Sequence, residues 1–190
     1  QFVFTETNVI CQDQDTVEIT FFETPVSQVQ ADDSICGLSY TIQAFPSVGT
    51  GNWTCSNALV VISNPGNSST LVNASNVGFG TYTFTWTERN DECVDSASVD
   101  ITFIETPQSQ VSNDTAVCGL TATAQAFPSQ GQGTWTALQP GLSISPNANA
   151  ANITVTADDY GTYELVWFED NLGCTDSDTI EITFHEIPVS

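Results

Sequence analysis

The stretch GTYTFTWTERNDEC at Gly80–Cys93 recurs as GTYELVWFEDNLGC at Gly161–Cys174. Both copies alternate apolar and polar residues, which is the period-two pattern of a half-buried β-strand. Each strand enters a turn that carries Glu-x-Asn and continues through a cysteine into a second alternating segment. The chain opens with a shorter copy, in which Phe2, Phe4 and Cys11 occupy equivalent positions. We therefore predict a β-hairpin as the repeated signature of the fold.

The rest of the chain repeats at the same spacing as the hairpin. Residues 1–22 match 83–104 and 164–185, and the linker motif Glu-Thr-Pro stands at both 23–25 and 105–107. The two linker motifs are 82 residues apart, and we expect each unit of such an array to contact mainly its neighbours. The predicted parts are the last two strands of a preceding repeat at 1–22, complete repeats at 23–104 and 105–185, and the start of another linker at 186–190.

Each complete repeat contains about seven short alternating segments separated by turn residues, with no helical pattern. This arrangement predicts an all-β chain of antiparallel sandwiches in tandem. The alternation also predicts which side chains lie between the two sheets. They are Trp53, Tyr82 and Phe84 in the first repeat, and Trp135, Tyr163 and Leu165 in the second.

The charge of the chain excludes several classes of partner. The chain has 23 acidic residues and a single basic one, Arg89, so that its formal net charge is −22. Nucleic acids and anionic membranes both require cationic side chains, and we expect neither as a partner. No apolar run approaches the roughly 20 residues of a membrane span, and Gln1 already belongs to a strand pattern rather than to a signal peptide. The hydrophobic share of 40% nevertheless predicts a folded chain.

The sequence Asp159–Leu165, DYGTYEL, resembles the tyrosine-corner motif of immunoglobulin-like domains. Trp53 and Trp135 stand where that family places the tryptophan of strand C. Phe84 and Leu165 stand where the family has its core cysteine, so the resemblance implies that apolar packing replaces the usual disulfide between the sheets.

The repeat as a whole is similar to the PKD-like immunoglobulin modules of giant Bacteroidota surface proteins, in particular gliding-motility adhesins. The phrases GTWTA at 133–137 and SDTIEITF at 177–184 carry this likeness together with the hairpin. It implies a structural segment of an extracellular cell-surface adhesin or filament, arranged head to tail and exported by type IX secretion. The implied partners are neighbouring repeats and an external polysaccharide or solid surface.

An accessory spacer or carbohydrate-binding module of a secreted polysaccharide-degrading enzyme is the alternative interpretation. The segment itself is predicted not to be an enzyme. Its single histidine, His185, aligns with Phe22 and Ile104 in a linker, where no Ser-His-Asp or Cys-His pair can form.

The six cysteines include no Cys-x-x-Cys pair, and with one histidine they favour disulfides over a zinc site. In the topology that the resemblance implies, Cys36 and Cys93 lie at opposite ends of a sandwich, about 20 Å apart. A disulfide tolerates about 7 Å between Cα atoms. We therefore predict a bridge between repeats, Cys36–Cys174.

Under this pairing, Cys93 and Cys118 bond to cysteines of neighbouring repeats. The alternative is one bridge inside each repeat, Cys36–Cys93 and Cys118–Cys174. The sequence assigns no role to Cys11 or Cys55.

Two further kinds of site follow from the acidic residues. Carboxylates near module junctions suit calcium, and the predicted ligands are Glu23, Glu88 and Glu105, although a solvated surface explains most acidic residues equally well. The recurring Asp-Ser/Thr pair resembles the O-glycosylation signal of Bacteroidota surface proteins, although chance would supply a few such pairs in this composition. The predicted acceptors are Thr16, Ser34, Ser96, Thr115 and Thr179.

Overall fold

The computed structural model describes residues 1–189, and all of the regular structure there is β-strand. Within this range no helix is long and apolar enough to cross a membrane. The chain forms two compact units. One unit contains 1–32, 41–72 and 83–100, and the other contains 33–40, 73–82 and the chain from 101 onwards. The predicted boundaries at 22, 104 and 185 mark sequence repeats, and they stay predictions.

The first two strands form the short copy of the hairpin as a separate two-stranded sheet, β1 (Phe2–Asn8) and β2 (Cys11–Val17). Phe2 lies opposite Val17, and Asn8 lies opposite Cys11. The repeated sequence therefore forms the hairpin that its alternation predicts.

The region 23–104 contains eight strands in two four-stranded sheets. The strands are β3 (Gln28–Val29), β4 (Asp33–Cys36), β5 (Ser39–Phe45), β6 (Thr50–Cys55), β7 (Val61–Ile62), β8 (Ser69–Asn73), β9 (Gly80–Asn90) and β10 (Cys93–Ile104). One sheet has the order β4-β10-β9-β6, and the other has the order β3-β5-β8-β7. The short strand β4 runs parallel to the end of β10, with Cys36 opposite Ile104.

The region 105–185 contains seven strands. They are β11 (Thr115–Cys118), β12 (Thr121–Gln125), β13 (Gln132–Ala137), β14 (Leu142–Ser145), β15 (Asn152–Ala157), β16 (Gly161–Asn171) and β17 (Cys174–His185). The sheet orders are β11-β17-β16-β13 and β12-β15-β14. An isolated bridge between Val111 and Ala126 stands where β3 pairs with β5 in the first repeat.

The second repeat has one apolar core to which both of its sheets contribute. Its buried members are Ala122, Ala124, Ala126, Trp135, Ile153, Val155, Ala157, Leu165, Trp167, Ile180, Ile182 and Phe184. Trp135 and Trp167 lie opposite each other on β13 and β16, with ring centroids 5.4 Å apart. The all-β sandwich predicted from the alternation is what the chain forms.

Four of the six predicted core residues are buried, whereas the two tyrosines are half-buried. Each tyrosine ring packs on a phenylalanine, Tyr82 on Phe103 and Tyr163 on Phe184. The hydroxyls donate to backbone carbonyls four residues earlier, at Gly78 (2.9 Å) and at residue 159 (3.2 Å). Tyr82 and Tyr163 are therefore less buried than predicted, because a phenolic hydroxyl needs a polar partner and stays near the surface.

Candidate functional site

Strand β16 carries a buried glutamate that binds the turn and the linker of its own repeat. Glu169 accepts hydrogen bonds from the backbone N–H of Ser129 (2.7 Å), the Ser129 hydroxyl (3.2 Å) and the Ser109 hydroxyl (3.0 Å). The glutamate is fully buried. A buried carboxylate is tolerated where hydrogen bonds replace its water, and these three donors do so.

Two more polar side chains of the same hairpin hold the linker backbone. Asn171 donates from Nδ2 to the Glu105 carbonyl at 2.7 Å, and Asp176 accepts from the Ser109 N–H at 2.8 Å. We call Glu169, Asn171 and Asp176 the linker clamp of the second repeat. The clamp fastens the Glu-Thr-Pro-x-Ser segment to the hairpin 60 to 70 residues later in the chain.

The first repeat has the same clamp with fewer contacts. Glu88 accepts from the Ser47 N–H (2.7 Å), Asn90 donates to the carbonyl of residue 23 (2.8 Å), and Asp95 accepts from the Ser27 N–H (2.7 Å). Here the second carboxylate oxygen of Glu88 and the Ser27 hydroxyl are buried without a hydrogen-bond partner. The two clamps therefore share their geometry and differ in how well the glutamate is satisfied.

The sequence pattern predicted Glu-x-Asn in the turn, but the structure places both residues in the last part of strands β9 and β16, where they bind the linker. The alternation could have shown that the glutamate is buried, because Glu88 lies an even number of residues from Phe84 and Trp86 and so faces the core with them. The serine after each Phe-Pro pair, Ser47 or Ser129, was the second signal.

The structure joins Cys36 to Cys174 in a disulfide, with Cα atoms 5.6 Å apart, as we predicted. The strand pairing of the second repeat shows why a bridge inside a repeat cannot form. Cys118 lies opposite His185 at the end of β17, whereas Cys174 begins that strand. Eleven residues of extended chain separate the two positions by about 36 Å, far beyond the reach of a disulfide.

The other four cysteines are free thiols in the part of the chain that the structure describes. Cys11 and Cys118 are exposed, and Cys55 and Cys93 are partly buried. The sulfur of Cys93 lies 3.8 Å from the carbonyl of Phe22. The predicted bonds of Cys93 and Cys118 to neighbouring repeats stay predictions.

The structure gives the predicted calcium ligands other roles. The Glu88 carboxylate lies in the first linker clamp, and the backbone carbonyls of Glu23 and Glu105 accept from the clamp asparagines. Among residues 1–189, no group of three or more His, Cys, Asp or Glu side chains could hold a metal ion. Calcium binding is therefore a proposal that rests on the acidic composition alone.

Four of the five predicted glycosylation acceptors are exposed, and Thr115 is half-buried. In three of the pairs, the aspartate accepts from the N–H of the following residue, at Thr16, Ser34 and Thr179. Asp33 also accepts from the Tyr40 hydroxyl at 2.6 Å. This bond, together with the Ser34 N–H, lowers the pKa of Asp33 below its ordinary value of 3.8. The motif thus has a local structural role, whether or not it is glycosylated.

The four tryptophans are buried and offer no ring on which a sugar could stack. His185 is exposed in the last described strand, where its carbonyl accepts from the N–H of Gly119.

No protein-family profile matches the chain, and no curated protein matches it significantly. Many solved structures do. Immunoglobulin domains 1–5 of Sidekick-1 are 13% identical with a TM-score of 0.52, over 87% of this chain and 40% of that one. Extracellular domains 3–5 of Drosophila OTK are 10% identical with a TM-score of 0.52, over 85% of this chain and 61% of that one.

The chain therefore spans less than two thirds of these neighbours. At such low identity the likeness shows the fold, which is that of tandem immunoglobulin-like domains.

Proposed function

We propose that this chain is a structural, non-enzymatic segment of an extracellular adhesive protein whose repeats carry mechanical load. The observation that supports this proposal is the Cys36–Cys174 disulfide, which joins residues 138 positions apart and links β4 of one sequence repeat to β17 of the next. A bridge between successive repeats constrains how far the chain can be drawn out. The disulfide and the acidic, lysine-free composition fit a secreted surface protein.

The repeat alignment extends the disulfide pattern in both directions. Cys118 is equivalent to Cys36, and Cys93 is equivalent to Cys174. We propose that Cys118 bonds to a following repeat and Cys93 to a preceding one. Successive disulfide loops would then overlap along the array, and unfolding one repeat would release little chain. Such an array transmits force without lengthening, as a stalk or filament of an adhesin requires.

The finer proposals rest on the resemblance described above. We propose that the chain is part of a gliding-motility adhesin of Bacteroidota that is exported by type IX secretion. We also propose O-glycosylation at the Asp-Ser/Thr pairs and adhesion to polysaccharide or a solid surface. Antibodies against the chain should then label intact, unpermeabilised cells of the source organism. Labelling confined to the cell interior would contradict an extracellular role.

Single-molecule stretching between the two chain ends tests the mechanical proposal. Unfolding of the oxidised chain should release 138 fewer residues than unfolding of the Cys36→Ser/Cys174→Ser variant. At about 3.5 Å per extended residue, the difference in contour length is about 480 Å.

The matched control is Cys55→Ser/Cys118→Ser, which removes two cysteines outside the disulfide and should leave the contour length unchanged. Equal lengths for the oxidised chain and the Cys36→Ser/Cys174→Ser variant would show that the bridge does not form, and the mechanical proposal would fail.

A further inference from the structure

The outer face of the three-stranded sheet in the second repeat carries an open cleft of about 450 Å³. Strand β15 lies in the middle of this sheet, between β12 and β14. Its outward-facing Thr154 lies opposite Thr123 on one neighbouring strand and opposite Ser145 on the other. In the next outward-facing row, Gln125 lies opposite Asn152. All five side chains are exposed and line the cleft.

The segment that leads into β11 lines the same cleft. Ser112 donates its N–H to the Gln125 carbonyl at 2.8 Å, and its hydroxyl accepts from the Gln125 N–H at 3.2 Å. These two bonds hold the segment beside β12, where Asn113 and Thr115 reach the cleft. Asp114 lies between them in the chain, but its carboxylate accepts from a backbone N–H of β17 at 2.9 Å. The segment therefore presents an amide and hydroxyls to the cleft, while the carboxylate binds the other sheet.

The cleft is uncharged in a chain whose formal net charge is −22. Among residues 1–189, the side chains that line it are hydroxyls, amides and small apolar groups, with no carboxylate, amine or imidazole. A hard cation would need carboxylate ligands, and an anionic ligand would be repelled by the rest of the chain. Strand addition by a peptide would need an unpaired edge, whereas β15 is paired on both sides. The chemistry of the cleft thus favours a neutral ligand rich in hydroxyl groups.

The polar groups of the cleft are spaced to suit a neutral polysaccharide. Adjacent strands lie about 4.8 Å apart, so that the row of hydroxyls across β12, β15 and β14 extends over about 10 Å. The strand spacing is close to the distance between successive sugar residues of an extended polysaccharide. The amides of Asn113, Gln125 and Asn152 form no hydrogen bond in the described part of the chain, and each can donate and accept. Pro146 adds an apolar surface for the C–H groups of a sugar ring.

The first repeat does not have the same chemistry at the equivalent positions. Three neutral polar residues of the cleft are replaced there by an alanine, a charged residue and an apolar residue: Ala31, Asp33 and Leu71 stand for Asn113, Thr115 and Thr154. The alignment follows from shared backbone contacts, because residues 74 and 157 donate to the carbonyls of residues 38 and 120. Leu71 is 47% exposed, so the repeat folds with an apolar side chain at that position. The fold therefore does not require the polar lining of the second repeat.

We propose that the cleft across β12, β15 and β14 binds a neutral polysaccharide. The amides of Asn113, Gln125 and Asn152 exchange hydrogen bonds with the hydroxyls of one sugar residue, and the row of strand hydroxyls binds the next. This proposal rests on the adhesive function proposed above, and it gives that function a ligand class and a site.

Affinity electrophoresis of the full chain in native gels that contain a soluble polysaccharide tests the proposal. The neutral probes are laminarin, xyloglucan, galactomannan and dextran, which differ in sugar and linkage, and alginate is the charged control. We expect at least one neutral probe to retard the chain and alginate to leave its mobility unchanged. Retardation by none of the neutral probes, or by alginate alone, would overturn the proposal.

Variants that carry residues of the first repeat test the site itself, by calorimetric titration with the retarding polysaccharide. Asn113→Ala/Thr154→Leu should raise the Kd about tenfold or more, because it removes hydrogen-bonding groups from both parts of the cleft. Gln125→Ala is a second variant, at an exposed position, in case the first does not fold. The matched control is Thr156→Asn, which introduces the residue of the first repeat at an exposed position of β15 outside the cleft and should leave the Kd unchanged.

The concentration of sodium chloride should not change the Kd, because no charged side chain takes part. A Kd that depends strongly on salt would assign the binding to charged groups elsewhere and would overturn the proposal. An unchanged Kd in both cleft variants would also overturn it, although polysaccharide binding, and with it the adhesive function, would stand. If no polysaccharide binds, the stretching and cell-labelling experiments still test the proposed function independently of the cleft.

Discussion

At the scale of single residues, a glycine on β6 or β13 determines how a tryptophan of the neighbouring strand packs. The ring of Trp86 lies over Gly51 and that of Trp167 over Gly133, at distances that leave no room for a Cβ atom. The glycines are thus required by close approach rather than by backbone conformation. Their position two residues before a buried tryptophan is the same in both repeats.

Gly133→Ala should lower the free energy of unfolding by about 1–3 kcal/mol, because the new methyl group displaces the Trp167 ring. Urea denaturation followed by tryptophan fluorescence measures the change. The matched control is Gly66→Ala, whose methyl group would meet nothing nearer than the Asn64 side chain at 3.9 Å. If the two variants were equally stable, the proposed steric role of Gly133 would be wrong.

The buried glutamates of the two clamps form a natural comparison. Glu169 has three donors, whereas Glu88 has one and leaves its second oxygen unsatisfied. We expect Glu169→Ala to cost about 3 kcal/mol and Glu88→Ala about half as much, since removing Glu88 also removes a buried, unpaired oxygen. Denaturant titration of both variants measures the difference. A larger loss for Glu88→Ala would contradict this account of the clamps.

At the scale of elements, the same hairpin sequence exists in a covered and in an uncovered state within one chain. Strands β9 and β16 are each flanked by two strands, whereas β1 has only β2 beside it. The pairing register is a local property and is the same in β1–β2 and β16–β17. Burial is not local, because it depends on strands supplied from elsewhere in a repeat.

Phe84 and Phe2 occupy equivalent positions and differ in burial, so that comparing their alanine variants measures the effect of burial. Phe84→Ala should cost about 3–5 kcal/mol, the range for a buried aromatic side chain. Phe2→Ala should cost less than about 1 kcal/mol, because its ring is already 59% exposed. Thermal or urea unfolding of the two variants gives the comparison. Similar losses for both would show that the hairpin face is not open in solution.

At the scale of the whole molecule, the net charge of −22 is the dominant electrostatic property. One arginine cannot neutralise 23 carboxylates, and their mutual repulsion favours expanded states of the chain. Hydrogen bonds from backbone N–H groups to aspartates, such as Asp32 with residue 100 and Asp114 with Glu181, use some of these charges in the fold. The remaining charges are available to salt and to cations.

Sodium chloride should therefore raise the melting temperature, since about 0.1 M salt reduces the range of the repulsion to about 10 Å. Calorimetry in sodium chloride and in calcium chloride of equal ionic strength also tests the calcium proposal. A larger rise with calcium would support specific binding, and equal rises would show that screening alone acts. No rise in either salt would contradict the account of charge repulsion.

The sequence alone determined the strands, the repeat and most of the core. Alternation places Trp53, Phe84 and Leu165 on the inward faces of their strands. Burial of their apolar area stabilises that orientation wherever a second sheet packs against the face. The Cys36–Cys174 pairing was also accessible, because the topology that the resemblance implies puts Cys36 and Cys93 at opposite ends of a sandwich, too far apart for a disulfide. These features depend on local geometry or on simple distances along extended strands.

The tertiary structure alone decided the partners of polar side chains and the exposure of equivalent ones. Glu88 was predicted as a calcium ligand, yet its donor lies 41 residues away at Ser47. The sequence shows no such pairing, because a hydrogen bond requires two groups to meet in space with the correct direction. Likewise, Phe2 repeats the pattern of Phe84, yet Phe2 is 59% exposed and Phe84 is buried. A strand's pattern selects the face to be buried, but burial itself depends on what packs against that face.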